Sequence, residues 1–215
     1  MKNITVLTAN LGGFDKQIDY VEQTVDYDFF RFTDKNFPPR LGSMTPRLQA
    51  RIPKMSGWQM KPGYEYYVWV DASCILAKED SLEWLINKCE DSDFVVFKHP
   101  NRNSIKEETD YLKERLEKKC PYITPRYENE LIDEQVNIIK ADENYIDDHF
   151  FASTVMVYKN TEKAHTALFD WWYHTSRYHS IDQLSLPYVL WRSDCDLTVI
   201  QESYLKTPYL KYIRK

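Results

Sequence analysis

The run Tyr66-Tyr67-Val68-Trp69-Val70-Asp71 constrains the fold more than any other stretch of this 215-residue chain. Five aromatic or β-branched residues in succession suit a strand that is buried on both faces. Such a strand belongs in the middle of a sheet covered by helices, and here it ends on a carboxylate. In open α/β sheets the ligand crevice lies outside the carboxyl ends of the strands, so Asp71 is delivered toward a site. An Asp in this position also starts turns or caps helices. Its meaning therefore depends on what else the chain brings to the same edge.

Strand-like and helix-like segments alternate along the sequence. Ile4 to Ala9 is an apolar run closed by Asn10-Leu11-Gly12-Gly13, the pattern of a buried strand entering a tight turn. A second strand is expected over Tyr27 to Phe32. A helix then begins near Thr45, with Pro46 in the first helical position; it places Arg47, Arg51 and Lys54 on one face. Asp80 caps a helix holding Leu82, Leu85 and Ile86, and a strand runs from Asp93 to Lys98. Two charged helices are expected from Ser104 to Lys119 and from Pro125 to Lys140, the second capped by Thr124. A strand over Phe150 to Tyr158, a helix opened by Thr161, a short helix over Asp182 to Tyr188 and a strand over Leu197 to Ile200 complete the order. This alternation predicts an α/β fold with a single, mainly parallel (mixed) sheet flanked by helices on both faces.

Composition narrows the function classes. The net charge of −5 argues against a nucleic-acid binder acting through its overall field, while leaving room for a local basic pocket. No stretch reaches the roughly 20 apolar residues that span a bilayer, and a strand starts at once instead of a signal core, so a cytoplasmic protein or a piece of a larger one is expected. Cys74, Cys89, Cys120 and Cys195 are widely spaced and suggest neither a zinc site nor disulfides. The basic end, Lys206 to Lys215, reads as a solvated tail. The Rossmann and Walker glycine patterns are both missing, so phosphate would have to be held by a divalent metal together with Lys and Arg side chains.

Several polar constellations fall where strands should end. Phe97-Lys98-His99-Pro100-Asn101-Arg102, followed by Glu108, offers an imidazole for a metal or a sugar hydroxyl and a guanidinium for an anion; Arg102 and Glu108 equally suit a local ion pair. Asp147-Asp148-His149 is metal-like in composition, but adjacent strand residues face opposite ways, so only part of it can share one site. In Ser176 to Ser185, Ser180 is a plausible cap that places Asp182 and Gln183 in a first helical turn near His179. A carboxylate and an amide there can grip two sugar hydroxyls, or Asp182 can simply serve the helix dipole.

The succession VWVDAS, FKHPNRNSIKEE, IDEQV and WWYHTSRYHSIDQLSLPYVL resembles the glycosyltransferase-like domain family that includes plant mucilage-related proteins, from about Glu65 to Trp191. The resemblance implies one GT-A type domain over residues 1–215. Its nucleotide-binding half would span about 1–75 and its donor-sugar and acceptor half about 76–205. It also implies transfer of a sugar from a nucleotide-diphosphate sugar, a UDP-sugar being favoured, to a hydroxyl on a glycan or glycoprotein. Thr8, Ala9, Asn10 and Asp34 would hold base and ribose, Arg47, Arg51 and Lys54 the diphosphate, and Asp71 with Ser73 a Mn²⁺ or Mg²⁺ ion. Asp182, Gln183 and Asp148 would be catalytic, with His99, Arg102, Glu108 and His179 on the donor or acceptor side. Two departures stand out. The family's D-x-D reads Asp71-Ala72-Ser73, and the Arg before its Asp-Gln pair is Ile181, so metal binding would need the nucleotide's own oxygens. The rival readings are a metal-dependent nucleotide-sugar hydrolase and a non-catalytic carbohydrate-binding domain.

Overall fold

The structure is a computed structural model that describes residues 3–213. Its frame is a six-stranded sheet in the order β2-β1-β3-β6-β5-β7. These strands are β1 (Ile4–Asn10), β2 (Asp28–Thr33), β3 (Tyr66–Val70), β5 (Phe94–Lys98), β6 (Phe151–Lys159) and β7 (Leu197–Ile200). β1 runs parallel to β2 and β3, and β5 runs parallel to β7. β6 alone is antiparallel to both of its neighbours, which makes the sheet mixed. All five residues of β3 are buried, as the unbroken apolar run requires.

The two faces of the sheet carry separate cores. On one face Val6, Val68, Val95, Phe97, Val155 and Val157 meet Leu82, Leu85 and Ile86 of α3 (Ser81–Asn87). On the other, Leu7, Tyr67, Trp69, Phe94 and Met156 lie under α2 (Arg51–Met60), α7 (Glu162–Arg177) and α8 (Leu186–Arg192). A third cluster joins α4 (Ile105–Glu117) to α6 (Ile132–Lys140) through Leu112, Val136, Ile139 and Leu184. Three helix starts follow the sequence expectation: Thr45, Ser104 and Thr161 each accept a backbone N–H three residues on, at 3.2, 3.0 and 3.3 Å. Thr45 opens α1 (Pro46–Gln49), which α2 follows directly.

Several expectations are corrected. The helix expected from Pro125 to Lys140 is two pieces, α5 (Thr124–Tyr127) and α6, parted where Asn129 takes a left-handed φ of 69°. Ile123 stands at the cap of α5, and the Thr124 side chain caps nothing. The break turns Glu130 toward Ser180, whose N–H and hydroxyl both donate to it at 3.0 and 3.2 Å, so Ser180 is tied to a carboxylate and caps no helix. Asp182–Leu184 is a single 3₁₀ turn. Asp80 holds the position before α3 without a side-chain bond. Within the basic tail, β8 (Leu210–Tyr212) pairs antiparallel with β4 (Cys74–Leu76), the stretch just after Asp71, while Lys206 and Lys211 stay exposed; Arg214 and Lys215 lie outside the described residues.

Candidate active site

The carboxyl ends of β1 and β3 open into a cleft of about 720 Å³. β1 stops because Leu11-Gly12-Gly13 turns sharply, with φ of 73° and 64° at the two glycines, and Asp34 fixes that turn by accepting the Gly12 N–H at 3.0 Å. Ala9 and Asn10 from the end of β1, Asp71, Ala72 and Ser73 from the end of β3, and Arg47, Ala50 and Arg51 from α1 and the start of α2 all line the cleft. The tail strand closes the rim: the Ile213 N–H donates to the Ser73 carbonyl at 2.7 Å, which brings Tyr212 over the site.

Asp71 stands two residues beyond Trp69, so the two share a sheet face. The Trp69 indole N–H donates to Asp71 Oδ1 at 2.7 Å, and Lys54 Nζ lies 3.5 Å from the same oxygen. Lys54 is wholly buried between the rings of Trp69 and Trp171, 5.6 and 5.5 Å from their centroids. Its closer partner is Asp182 Oδ2 at 2.6 Å, while Arg51 holds Asp182 Oδ1 at 3.2 Å and the Ser153 hydroxyl donates to Oδ2 at 3.2 Å. The Trp171 indole fixes the Asp182 carbonyl at 2.6 Å. Burial pushes the Asp182 carboxyl up, but the Arg51 and Lys54 cations outweigh it and hold the group below the ordinary carboxylate range. Lys54 thus joins Asp71 to Asp182, residues 111 positions apart in the chain.

The remaining sequence candidates fall into three groups. Ala9, Asn10, Arg47, Arg51, Asp71 and Ser73 line the cleft; Lys54 and Asp182 lie buried behind its wall. Thr8 points to the opposite sheet face beside Tyr20, and Asp34 is spent on the Gly12 turn, so neither lines the cleft. A separate polar chain links Arg102 to Glu108 at 3.2 Å and Glu108 to the Gln183 amide at 2.9 Å, with the Arg102 guanidinium 4.1 Å from the Tyr111 ring centroid. Burial raises the Glu108 carboxyl, against the pull of Arg102 and Gln183. Burial, aided by Arg102, lowers His99 to about 4; burial and neighbouring His174 lower His179 to about 4, so both imidazoles are neutral. Glu108 buttresses the 3₁₀ turn through Gln183, and none of these groups is among the residues that line the cleft. Asp148 is 60% exposed and pairs with His149, while Asp147 takes the structural role, accepting the Ile105 and Lys106 N–H groups at the start of α4 at 2.7 and 2.9 Å. Asp148, expected as an acid, is exposed and is not among the residues that line the cleft.

Sequence reasoning missed Phe14, Asp15, Tyr122, Arg126, Thr154, Tyr204 and Tyr212, all of which line the cleft. Asp15 was signalled only by the Gly12-Gly13 turn that carries it; its backbone exchanges bonds of 2.7 and 3.3 Å with the Asn10 amide. Arg126 and Tyr122 sit on α5 and the turn before it, and nothing local points them at β3.

A profile of the TOD1/MUCI70 glycosyltransferase-like domain matches residues 41–207. The chain belongs to that family. No curated protein matches this TOD1/MUCI70 domain by sequence. Among solved structures it is similar to WbbM, a bifunctional glycosyltransferase in its apo form, with a TM-score of 0.53 and 11% identity over 93% of this chain and 39% of that one. It therefore spans about two fifths of the WbbM chain. Another similar structure is a glycosyltransferase involved in glycosylation of the major capsid of PBCV-1, with a TM-score of 0.49 and 9% identity over 93% and 82% of the two chains. The fold is of the GT-A type. Among the described residues no helix is long and apolar enough to cross a membrane.

Asp71-Ala72-Ser73, the stretch that resembles a D-x-D motif, is where a cation would sit. Mg²⁺ and Mn²⁺ favour about six oxygen donors. The protein offers Asp71 Oδ2 and the Ser73 hydroxyl, the latter beside the Tyr212 hydroxyl. Asp71 Oδ1 already accepts from Trp69, and the Lys54 ammonium next to it repels a dication. Among the described residues no three His, Cys, Asp or Glu side chains converge as a metal-binding group. This donor set does not fit a resident divalent ion.

Proposed function

We propose that this domain transfers a sugar from a nucleotide-diphosphate sugar, a UDP-sugar being favoured, to a hydroxyl of a glycan or glycoprotein. The observation that carries this reading is the cleft at the ends of β1 and β3, lined by Asp71, Arg47 and Arg51 and large enough for a nucleotide. Ala9 and Asn10 would meet base and ribose, and the arginines would meet the diphosphate, where charge grows as the sugar leaves. Tyr122, Tyr204 and Tyr212 offer faces for the sugar or the acceptor.

Asp182 is buried between two cations and acts here as a positioning residue: it holds Arg51 at the cleft wall. Gln183, through Glu108, steadies the turn that carries Asp182. If the reaction needs a base for the acceptor proton, the carboxylates on the cleft are Asp15 and Asp71.

Calorimetric titration with UDP, GDP and CMP, each with and without Mn²⁺, on wild type and Asp71→Ala tests the reading. Binding of one nucleotide that weakens in Asp71→Ala supports it. Binding of glycans but of no nucleotide would replace it by a carbohydrate-binding domain, and donor breakdown as fast without acceptor as with it would favour a hydrolase.

A further inference from the structure

Three guanidinium groups converge on the cleft where the D-x-D is depleted. Arg47, Arg51 and Arg126 all line it. Arg51 is anchored to Asp182 by one terminal nitrogen, and its buried Nε has no hydrogen-bond partner among the described residues. Arg126 lies with its guanidinium carbon 3.7 Å from the Tyr122 ring centroid, bonds the Tyr122 carbonyl, and likewise keeps an unpartnered, buried Nε. Arg47 rests against Tyr127, whose hydroxyl it reaches at 3.4 Å. Among the described residues no carboxylate lies within 4 Å of Arg47 or Arg126.

Charge gives the arrangement its meaning. Lys54 and Asp182 cancel behind the wall, so the cleft itself sees three arginines against two carboxylates, Asp15 and Asp71, in a protein whose net charge is −5. A local cationic excess in an acidic protein selects an anion. Planar guanidinium forks match the geminal oxygens of a phosphate, and forks already fixed by an aromatic face or a carboxylate lose less freedom on binding.

We propose that Arg47, Arg51 and Arg126 form a cradle that binds the diphosphate of a nucleoside diphosphate without a divalent cation. The inference rests on the nucleotide-sugar reading of the cleft and names how its anionic part is held.

The test is calorimetric binding of UDP, GDP and CDP, and of the matching monophosphates, to the whole chain in EDTA and then in excess Mn²⁺ or Mg²⁺. Arg47→Gln and Arg126→Gln are run beside wild type. The cradle requires that one diphosphate bind in EDTA with an affinity within about threefold of that in metal, and about tenfold or more tighter than its monophosphate. Each Arg→Gln variant should weaken it about tenfold or more with an unchanged melting temperature. Binding that appears only with metal would overturn the cradle and leave the transferase reading intact. Equal binding of mono- and diphosphate, or no effect of either arginine, would also overturn it. Absence of any nucleotide binding under every condition would remove the reading on which the cradle rests.

Discussion

Lys54→Met tests the claim that a buried ammonium holds the two halves of the site together. Methionine keeps most of the side-chain length and removes the charge. At an effective dielectric near 20, an ammonium 2.6 Å from Asp182 and 3.5 Å from Asp71 gains about 6 and about 5 kcal/mol of Coulomb energy. Taking that cation and its partners out of water costs several kcal/mol each, so the intact cluster is close to neutral in net stability. Removing Lys54 alone is different, because the desolvated Asp182 stays behind. Losing one partner of a buried pair costs about 3–5 kcal/mol. Arg51 and Ser153 still hold Asp182, which argues for the lower end, about 3 kcal/mol. In a chain of this length that is a drop of about 6–12 °C in melting temperature. Guanidinium denaturation of wild type, Lys54→Met, Asp182→Asn and the double variant measures it. The double variant should lose clearly less than the two single losses added together, because neither Lys54 nor Asp182 is then left without the other. A Lys54→Met protein within about 1 kcal/mol of wild type, or strict additivity in the double variant, would refute the coupling.

Three further outcomes follow from the geometry. His99, His174 and His179 are held neutral, each lowered to about 4 chiefly by burial, whereas the unfolded chain takes up those protons near 6.5. Their contribution is complete above 6.5 and is lost as pH falls from there toward 4, so the melting temperature should fall across that window; His179→Asn should flatten the fall, and an unchanged slope would contradict the assignment. Gly57→Ala should cost about 1–3 kcal/mol in denaturant unfolding, since a Cβ there meets Leu7 Cδ1 at 2.2 Å; a stable variant would mean that α2 and β1 pack less closely. Asp148→Asn should leave the initial rate of sugar transfer within about twofold of wild type, because the residue stands outside the cleft, and a tenfold loss would return it to the candidate acids.

What the sequence disclosed was whatever is local. The runs that became β1, β3, β5 and β6 are apolar over several residues, and the caps at Thr45, Ser104 and Thr161 act over three residues, so each could be read in place. The blocks behind the family resemblance are likewise short and ordered along the chain. β4 and β8 escaped because three residues carry no usable period, and their pairing joins Cys74 to Tyr212 across most of the chain. Asp182 was placed in the right segment without its partners: the Arg51 and Lys54 charges that surround it come from 131 and 128 residues away, and no spacing rule reports them. Arg126 was hidden in the same way, 56 residues beyond the end of β3.

The two departures at the floor of the cleft make sense together. The D-x-D stretch lacks its second carboxylate, Ser73 standing in its place, and the remaining one, Asp71, has a buried ammonium 3.5 Å from one of its oxygens. Each change lowers the negative charge at the same point, and each makes a dication less welcome there. A site that had merely lost a metal ligand would be left with an unbalanced cleft. Here Lys54 and Arg51 together balance Asp71 and Asp182, which leaves Arg47 and Arg126, with the unpaired edge of Arg51, to face an anion. On the proposed reading, the negative charge that this cleft calls for is the diphosphate of the donor.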